Sequence, residues 1–439
     1  MLRVACLVLT LVAGLSARAS GQSAHLVIRH VTVVDVNAGQ LLPDMTIEIR
    51  GRTITAMSKD SRARVRRGAT VIDGRGKYLI PGLWDMHVHL SWVTSSALPV
   101  LIANGVTTVR DMGSDLARID GWRARIAAGE MVGPRILRVG PILNGKSFNK
   151  YQMVPGNPDA TRGAARTLKF IGVDFIKIHR RFPRDSYFAL LDEAKQLGID
   201  VVGHIPMTVT PEEASDAGQV TIEHTETLFE GTFSTALKGR LSDAIRHFRE
   251  TEADKLFARF VKNHTVVDPT LVAWNPVIDP AAKSDPRLRY VAASVKVPEK
   301  PTSDADLREM RDTLAELRQV VRQMHRDGVT LVAGTDIAGT RIPGFTLHGE
   351  LANFVECGLT PLEAIRAATL TPAIVTHRDK DLGTIEVGKI ADLVLLDANP
   401  LDDIHNTERI AAVIASGQLF DRAALDALLR QAEELAARN

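Results

Sequence analysis

The sequence predicts an α/β protein, a (β/α)8 TIM barrel with a small composite β-sandwich module made from both chain ends. Eight short apolar segments alternate with amphipathic helical stretches through the middle of the chain, which is typical of βαβ units that close into a barrel. Apolar and polar residues alternate with a period of two near both ends, which indicates half-buried strands. About 250 residues separate His87 from Asp336, the usual length of such a barrel.

The first segment, residues 1–22, has the composition of a secretory signal peptide. Arg3 is followed by an apolar run to Leu15, and then by small residues that include the sequence ARA. The apolar run is too short to span a bilayer, and the order of charge, apolar run and small residues is that of a cleaved signal. We therefore expect export to the periplasm or the medium, with no membrane attachment after cleavage.

The cysteine count argues against an intrachain disulfide, and the overall charge argues against a nucleic-acid-binding or membrane-binding protein. Removal of Cys6 with the signal would leave Cys357 alone, so no intrachain disulfide could form. Hydrophobic residues make up 45% and charged residues 24%, which are globular values, and the net charge is +2. We therefore expect neither nucleic acid nor an anionic membrane as a partner.

The β-sandwich module is predicted from residues 23–78 and from residues 379–439, on either side of a barrel at residues 79–378. Near the C-terminus the strand pattern returns in GTIEVGKIADLVLLDA and IAAVIASGQLF. A terminal helix follows, and its leucine and alanine stripe predicts packing against the body. The eight barrel strands are expected within YLIPGLWDMHVHL, VTTVRDM, RILRVGPIL, DFIKIH, DVVGHIP, VTIEHTETL, TVVDPTLVA and TLVAGTDIA.

Polar residues stand at the C-terminal tips of several of these strands, where barrel enzymes carry their chemistry. His87 and His89 lie two residues apart in a strand, so they point the same way and could converge on a divalent cation. Four further strand tips carry Lys177, His204, His224 and Asp336. Taken together, these six residues predict a metal site.

This pattern resembles the amidohydrolase superfamily, which places His-x-His on the first strand, a lysine on the fourth, histidines on the fifth and sixth, and an aspartate on the eighth. The resemblance extends to PGLWDMHVHL, LTPLEAIRAATLTPA and GTIEVGKIADLVLLDANP. Within the superfamily the chain is most similar to the branch of imidazolonepropionase-related proteins and Xaa-Pro or Xaa-Arg dipeptidases.

The resemblance implies a binuclear metal centre. Because a lysine ammonium has no lone pair, Lys177 would bind metal only after carboxylation, as a carbamate that bridges two divalent cations, most simply zinc, with manganese or cobalt as alternatives. His87, His89 and Asp336 would hold the first cation, and His204 and His224 the second. A hydroxide shared by the two cations would attack the scissile carbonyl, and Asp336 would move its proton to the leaving amine.

The implied activity is hydrolysis of amide or peptide-like C–N bonds in a small molecule. Candidate substrate contacts are His179, which shares a strand face with Lys177, and Lys146 and Tyr151 in the loop NGKSFNKYQMVPGN. The sequences GHIPMTVTPEEA and ILNGKSF depart from the dipeptidase relatives, which carry a tyrosine in the first and Gly-Gly-His in the second. The alternatives are a lactone or cyclic amide hydrolase and a non-catalytic metal- or ligand-binding barrel, and a homo-oligomer stays open.

Overall fold

A computed structural model describes residues 25–63, 67–229, 240–279, 282, 284–295 and 303–438. The predicted signal peptide lies outside the described residues. The strands are β1 (His25–Asp35), β2 (Gln40–Arg50), β3 (Thr53–Lys59), β4 (Thr70–Asp73), β5 (Tyr78–Pro81), β6 (Leu83–Val88), β7 (Val106–Asp111), β8 (Arg135–Arg138), β9 (Ile142–Leu143), β10 (Gln152–Met153), β11 (Phe175–Ile178), β12 (Asp200–Gly203), β13 (Thr221–Glu223), β14 (Val266–Asp268), β15 (Thr330–Leu331), β16 (Leu393–Leu396), β17 (Ile410–Ala415) and β18 (Gln418–Asp421).

Helices follow most barrel strands, as the alternating pattern predicts. They are α1 (Leu90–Val93), α2 (Ala97–Ala103), α3 (Leu116–Ala127), α4 (Pro158–Phe170), α5 (Arg184–Leu197), α6 (Pro211–Asp216), α7 (Leu241–Thr251), α8 (Ala253–Asn263), α9 (Asn275–Ile278), α10 (Asp304–Arg326), α11 (Phe345–Glu356), α12 (Pro361–Ala367), α13 (Leu370–Val375) and α14 (Arg422–Arg438). In the part of the chain that the structure describes, no helix is both long enough and apolar enough to cross a membrane.

The central strands form the predicted barrel of parallel strands. One ladder runs β6-β7-β8 and a second runs β9-β11-β12-β13-β14-β15, with β10 beside β9. The ladders join where Asp174 N donates to Arg138 O at 2.8 Å. The ring closes where Val88 pairs with Ile337 and where Met86 N donates to Ala333 O at 2.9 Å. The predicted fold class is therefore confirmed.

The first predicted strand is divided at Gly82 between the two sheets of the protein. Residues before this glycine form β5, which pairs with β1 and β16, whereas residues after it form β6 of the barrel. A Cβ at Gly82 would lie 2.2 Å from the Thr107 hydroxyl, so a larger residue would push the crossing segment off β7. The apolar segment YLIPGLWDMHVHL therefore contributes one strand to the composite sheet and one to the barrel.

Both chain ends contribute to one eight-stranded sheet, in the order β18-β17-β16-β5-β1-β2-β3 with β4 beside β1. The edges of this sheet meet, because Ala391 N donates to Arg52 O at 2.8 Å while Gly417 N donates to Ala391 O at 2.9 Å. Its inner face buries an isoleucine- and leucine-rich cluster that draws on both chain ends. Of the segment predicted as strand in GTIEVGKI, only Ile390 pairs, in a single bridge with Thr53.

The terminal helix α14 buries a stripe of leucines and alanines, namely Leu425, Leu428, Ala432 and Ala436. Leu429, next to this stripe, packs against the main core. Cys357 at the end of α11 is buried and free, and burial raises the pKa of its thiol to about 12. Cys357 therefore packs in the core as a small apolar residue.

Candidate metal centre

The six predicted ligand residues lie together at the C-terminal end of the barrel. The strands bring them there because parallel strands end on one face. His87 and Lys177 are the next-to-last residues of their strands, and the other four residues follow the ends of theirs. By element they are His87 in β6, His89 after β6, Lys177 in β11, His204 after β12, His224 after β13 and Asp336 beyond β15. His87 and Lys177 are fully enclosed, and His89 and His224 are buried.

The aspartate faces the histidine pair of the first strand. Asp336 Oδ1 lies 3.6 Å from His87 Nε2 and 3.4 Å from His89 Nε2. The ring of His224 is centred 4.7 Å from that of His87 and 4.8 Å from that of His204. His87, His224 and Asp336 each offer a donor atom within 4.8 Å of the others, which is close enough to share one cation.

Three of the imidazoles have a neighbour at the ring nitrogen that faces away from this cluster. Nδ1 of His89 is hydrogen bonded to Gly113 O at 3.1 Å and Nδ1 of His224 to Thr270 Oγ1 at 2.7 Å. Nδ1 of His87 lies 3.3 Å from Glu223 Oε2, a charge contact without hydrogen-bond geometry. A partner on Nδ1 fixes the ring orientation and leaves Nε2 with its lone pair for a metal. These rings are arranged as metal-ligating histidines usually are.

Lys177 occupies the centre of this group with no hydrogen-bond partner for its Nζ among the described residues. The side chain is 1% exposed, and burial lowers the pKa of its amine to about 8. Space for it is kept by Gly203, where a Cβ would lie 2.9 Å from Lys177 Cδ and 2.3 Å from Ile178 O. A buried amine with a lowered pKa has a larger neutral fraction, and the neutral form is the one that can react with carbon dioxide.

The donor set fits a divalent metal. Three buried atoms that face the cluster have no hydrogen-bond partner among the described residues: His87 Nε2, Lys177 Nζ and His204 Nδ1. Buried polar atoms are almost always paired, so three orphans in one place indicate a group that binds there. Burial also lowers the pKa of His224 to about 4 and those of His87 and His204 well below the ordinary value, which favours the neutral imidazoles that metals bind.

Inside the barrel, His87 contacts a network of buried charged residues. Arg110 donates from Nη2 to both carboxylate oxygens of Glu223 at 2.9 Å, from Nη1 to the Thr221 hydroxyl at 3.0 Å, and from Nε to Met86 O at 2.7 Å. Burial works to raise the pKa of Glu223, but the Arg110 guanidinium and the His87 ring outweigh it, so the pKa is lowered. Glu223 is thus a fully buried carboxylate whose charge has a partner on each side.

The barrel seam beside His87 is fixed by a buried carboxyl group. Asp85 accepts from Thr335 N at 3.1 Å, from the Thr335 hydroxyl at 2.6 Å and from His87 N at 3.2 Å. Burial raises the pKa of this carboxyl to about 7. The contacts tie the first strand to the last, so Asp85 helps to set the distance between the histidine pair and Asp336.

Arg341 binds the outer oxygen of Asp336. Its Nη1 donates to Asp336 Oδ2 at 3.1 Å and to Asp336 O at 2.8 Å, which leaves Oδ1 directed at His87 and His89. Burial works to raise the pKa of Asp336, but Arg341 and the neighbouring histidines outweigh it, and the pKa falls well below its usual range. Asp336 and His224 both have positive φ angles, of 51° and 65°, which is uncommon for such residues and frequent at functional sites.

Of the three predicted substrate contacts, His179 and Tyr151 lie near the cluster and Lys146 does not. His179 stacks on His204 with 4.4 Å between ring centres, and burial together with Lys177 lowers its pKa to about 3. Tyr151 stacks at 6.0 Å on Trp92, which in turn stacks at 4.5 Å on His89. Lys146 is exposed and makes no hydrogen bond or ion pair within the described residues, so the structure does not bring it to the cluster.

The sequence interpretation missed the residues that support the ligands. Arg110 and Glu223 are charged residues inside the otherwise apolar strands VTTVRDM and VTIEH, and this was the available signal. Trp92 lies in the short helix α1 and Arg341 in a loop, and for neither does a single sequence indicate what the side chain faces.

Comparison with known proteins agrees with the geometry. The sequence profile of the Amidohydrolase family matches residues 78–420. An adenine deaminase of Staphylothermus marinus is 23% identical over 418 residues, which is 90% of this chain and 57% of that protein. An ochratoxinase of Aspergillus niger is 40% identical over 98 residues, which is 21% of this chain and 20% of that enzyme. The chain therefore matches only part of the length of these relatives.

Solved structures match over nearly the whole chain. A candidate prolidase of Bifidobacterium longum is 28% identical with a TM-score of 0.71, covering 93% of this chain and 99% of the other. A Xaa-Pro dipeptidase with bound methionine is 23% identical with a TM-score of 0.69, covering 91% of this chain and 100% of the other. The second likeness supports the fold alone.

Proposed function

The chain belongs to the amidohydrolase family, and from this premise we propose that it is an exported binuclear metal-dependent hydrolase of amide or peptide-like C–N bonds. The observation that carries the proposal is the unpartnered, buried Nζ of Lys177, which lies among neutral imidazoles and an aspartate. Burying an amine without a partner is costly, so its retention there indicates chemistry rather than packing. Similar proteins include an adenine deaminase and, at 28% identity, a candidate prolidase, which is consistent with action on C–N bonds.

The chemistry assigned to each residue follows from its position. Two divalent cations, most simply zinc, held by His87, His89, His204, His224, Asp336 and a carbamate on Lys177, would supply a nucleophile from water at neutral pH and polarise the scissile carbonyl. Asp336 Oδ1 is the oxygen that can accept the proton of the attacking water and pass it to the leaving nitrogen. Arg341 holds the other oxygen of that carboxylate, so the reactive oxygen stays in place.

From the aromatic side chains beside the cluster we infer a small substrate with an unsaturated or aromatic part. Trp92 and Tyr151 lie on the His89 side, and His179 lies on the His204 side. Aromatic faces bind flat groups with little loss of side-chain freedom. We assign His179 and Tyr151 as substrate contacts, whereas Lys146 would reach a substrate only if its loop moved.

The decisive experiment combines metal analysis with a substrate screen. Protein loaded with zinc, manganese or cobalt is assayed on N-acyl amino acids, dipeptides and lactones, beside an Asp336→Asn variant. We expect about two metals per chain and turnover of an amide that falls by about a hundredfold or more in the variant, while most metal remains. Turnover of lactones alone would favour the cyclic ester alternative, and metal binding without any turnover would favour a non-catalytic barrel.

Export is proposed from the order of charge, apolar run and small residues in the first 22 residues. N-terminal sequencing of the protein from the exported fraction should begin between Ser20 and Ala24. An intact Met1 in that fraction would contradict the proposal.

A further inference from the structure

A second cavity lies at the opposite end of the barrel from the metal centre. It has a volume of about 730 Å³, within the range of small-molecule sites. Its barrel wall is formed by the second half of α3 and by the first residues of β7 and β8, and its other wall by the β17–β18 turn and Arg52 of the composite sheet. Because the predicted metal ligands stand at the far ends of the strands, this cavity takes no part in the proposed hydrolysis.

The lining of the cavity carries more positive than negative charge. It contains one acidic residue, Asp120, and four arginines, Arg52, Arg123, Arg135 and Arg378. Arg135 and Arg378 are paired with Asp392 and Asp174 outside the lining, so the excess positive charge lies mainly at Arg52 and Arg123. Asp120 is already engaged, since its Oδ1 lies 3.0 Å from the Nε of Arg138, outside the lining. A concave surface with one sign of charge concentrates ions of the other sign.

Three of the arginines retain donors that no described residue uses. Arg135 donates from Nη2 to Asp392 at 3.1 Å and to the Ser416 hydroxyl at 3.4 Å, but its Nε is buried and has no hydrogen-bond partner among the described residues. Within the same residues, Arg123 has only a long contact of 3.5 Å to Asp120. Arg52 is exposed and makes no side-chain hydrogen bond or ion pair within the described residues. Each guanidinium has five donors in a planar fork that matches carboxylate and phosphate oxygens.

The rest of the lining is apolar. Ile126, Met131 and Val132 from the barrel side, and Phe420 from the composite sheet, lie among the lining residues. A ligand that satisfied both parts would carry an anionic group and a carbon skeleton. We propose that this cavity binds a small organic anion, with its carboxylate or phosphate among the arginines and its apolar part against these side chains.

Such a ligand would contact both units of the protein at once. Arg52 belongs to the composite sheet, whereas Arg123 and Arg135 belong to the barrel. Binding to the folded state alone stabilises it, so the anion raises the melting temperature without entering the metal centre.

The test is calorimetric titration of the metal-loaded protein with phenyl phosphate and with benzoate, and phenol as the uncharged analogue. We expect saturable binding of at least one anion with a Kd below about 1 mM, a raised melting temperature, and no binding of phenol. A preference for phenyl phosphate or for benzoate separates a phosphate ligand from a carboxylate ligand. No saturable binding of either anion up to about 10 mM overturns the proposal.

Variants locate the bound anion. The double substitution Arg52→Ser and Arg123→Ser removes two of the four lining charges at side chains without strong partners, and it should weaken binding by about tenfold or more. Arg118→Ser, on the same helix but outside the lining, is the matched control and should bind as the wild type does. Ala124→Glu, which adds a carboxylate to the lining and keeps all four arginines, should weaken binding similarly. Unchanged affinity in either the double variant or Ala124→Glu would place the anion elsewhere and overturn the proposal.

Discussion

Lys177 and Lys389 are both buried, and they are buried in different ways. Lys389 is 9% exposed and lies at the edge of the composite sheet, where its Nζ donates to the Thr384 hydroxyl at 2.6 Å and approaches Leu382 O at 3.4 Å. Lys177 is 1% exposed inside the barrel and has no hydrogen-bond partner among the described residues. The protein supplies hydrogen-bond acceptors for the amine of Lys389, but none of the described residues accepts a hydrogen bond from the amine of Lys177.

This difference teaches how to recognise a functional group in a folded chain. A buried cation costs several kcal/mol of desolvation, at about the scale of a whole domain's stability, unless hydrogen bonds and charges offset it. Lys389 meets that condition with neutral oxygens and a nearby Glu386 at 3.7 Å. At Lys177 the charges of Glu223, Asp336 and Asp268 favour the ammonium, but burial outweighs them and no described residue accepts a hydrogen bond from Nζ. In our proposal an additional group, the carbamate with its cations, completes the arrangement.

The largest effect is expected from removing the Lys177 amine. Lys177→Ala should lower metal content from about two to one or fewer per chain and reduce hydrolysis by about a thousandfold or more, because the bridge between the cations disappears. Metal analysis beside turnover on the substrate found by the screen is the measurement. Two metals and normal turnover in the variant would refute the binuclear carbamate.

A second substitution separates loss of the bridge from loss of packing. Lys177→Met keeps most of the side-chain volume, so it should lose metal and activity as Lys177→Ala does. Added formate or acetate should partly restore Lys177→Ala, where the anion has room, and should leave Lys177→Met unchanged. Retention of metal and activity in Lys177→Met would indicate that the lysine acts through packing, and failure of the added anions to restore Lys177→Ala would count against the carbamate.

The next largest effect concerns the support of His87. Glu223→Gln removes the charge that faces His87 Nδ1 and leaves the buried Arg110 with only the more distant carboxyl of Asp268, 3.6 Å away. Metal affinity should fall by about 10- to 100-fold, measured by competition with a chelator, and unfolding free energy should fall by about 3 kcal/mol. Glu193→Gln is the matched control, because Glu193 is also paired with an arginine, at 2.7 Å from Arg166, but lies outside the site. Equal metal affinity in both variants would exclude a positioning role.

The sequence predicted that the six candidate ligand residues lie at one end of the barrel, because an apolar strand that ends in a polar residue indicates where that residue lies. It did not predict that Glu223 and His224 both reach His87. Neighbouring residues in a strand point to opposite faces, but the positive φ of 65° at His224 ends this alternation. The partners of the other rings, such as the carbonyl of Gly113 and the hydroxyl of Thr270, depend on the closure of the barrel and have no local sequence signal.

A smaller effect comes from Glu350, a buried acid that resembles Lys389 in having partners. Its carboxylate accepts from Leu271 N at 3.0 Å and from Val272 N at 2.7 Å, yet burial raises its pKa to about 7. Because the folded pKa lies above the ordinary 4.5, the folded state holds the proton longer. Its contribution to stability is therefore present below about pH 4.5 and is lost as the pH rises towards 7.

Glu350→Gln should remove this part of the pH dependence. Unfolding free energies from urea titrations at pH 5 and pH 8 should show the variant gaining about 2 kcal/mol on the wild type between the two values. A difference that does not change with pH would mean that the backbone donors keep Glu350 ionised at both values. Hydrogen bonds would then be sufficient to keep a buried carboxylate ionised, as they keep the buried Lys389 charged.

The smallest effect is expected at Lys389 itself. Lys389→Met removes one good hydrogen bond, to the Thr384 hydroxyl, and also removes a buried charge whose desolvation was costly. These terms oppose each other, so the unfolding free energy should change by about 1 kcal/mol or less. Metal content and turnover should equal those of the wild type, because the substituted side chain lies in the composite sheet and the proposed chemistry does not use it. A loss of activity without loss of metal would show that the composite sheet acts on the barrel, and a buried lysine with partners could then no longer be taken as purely structural.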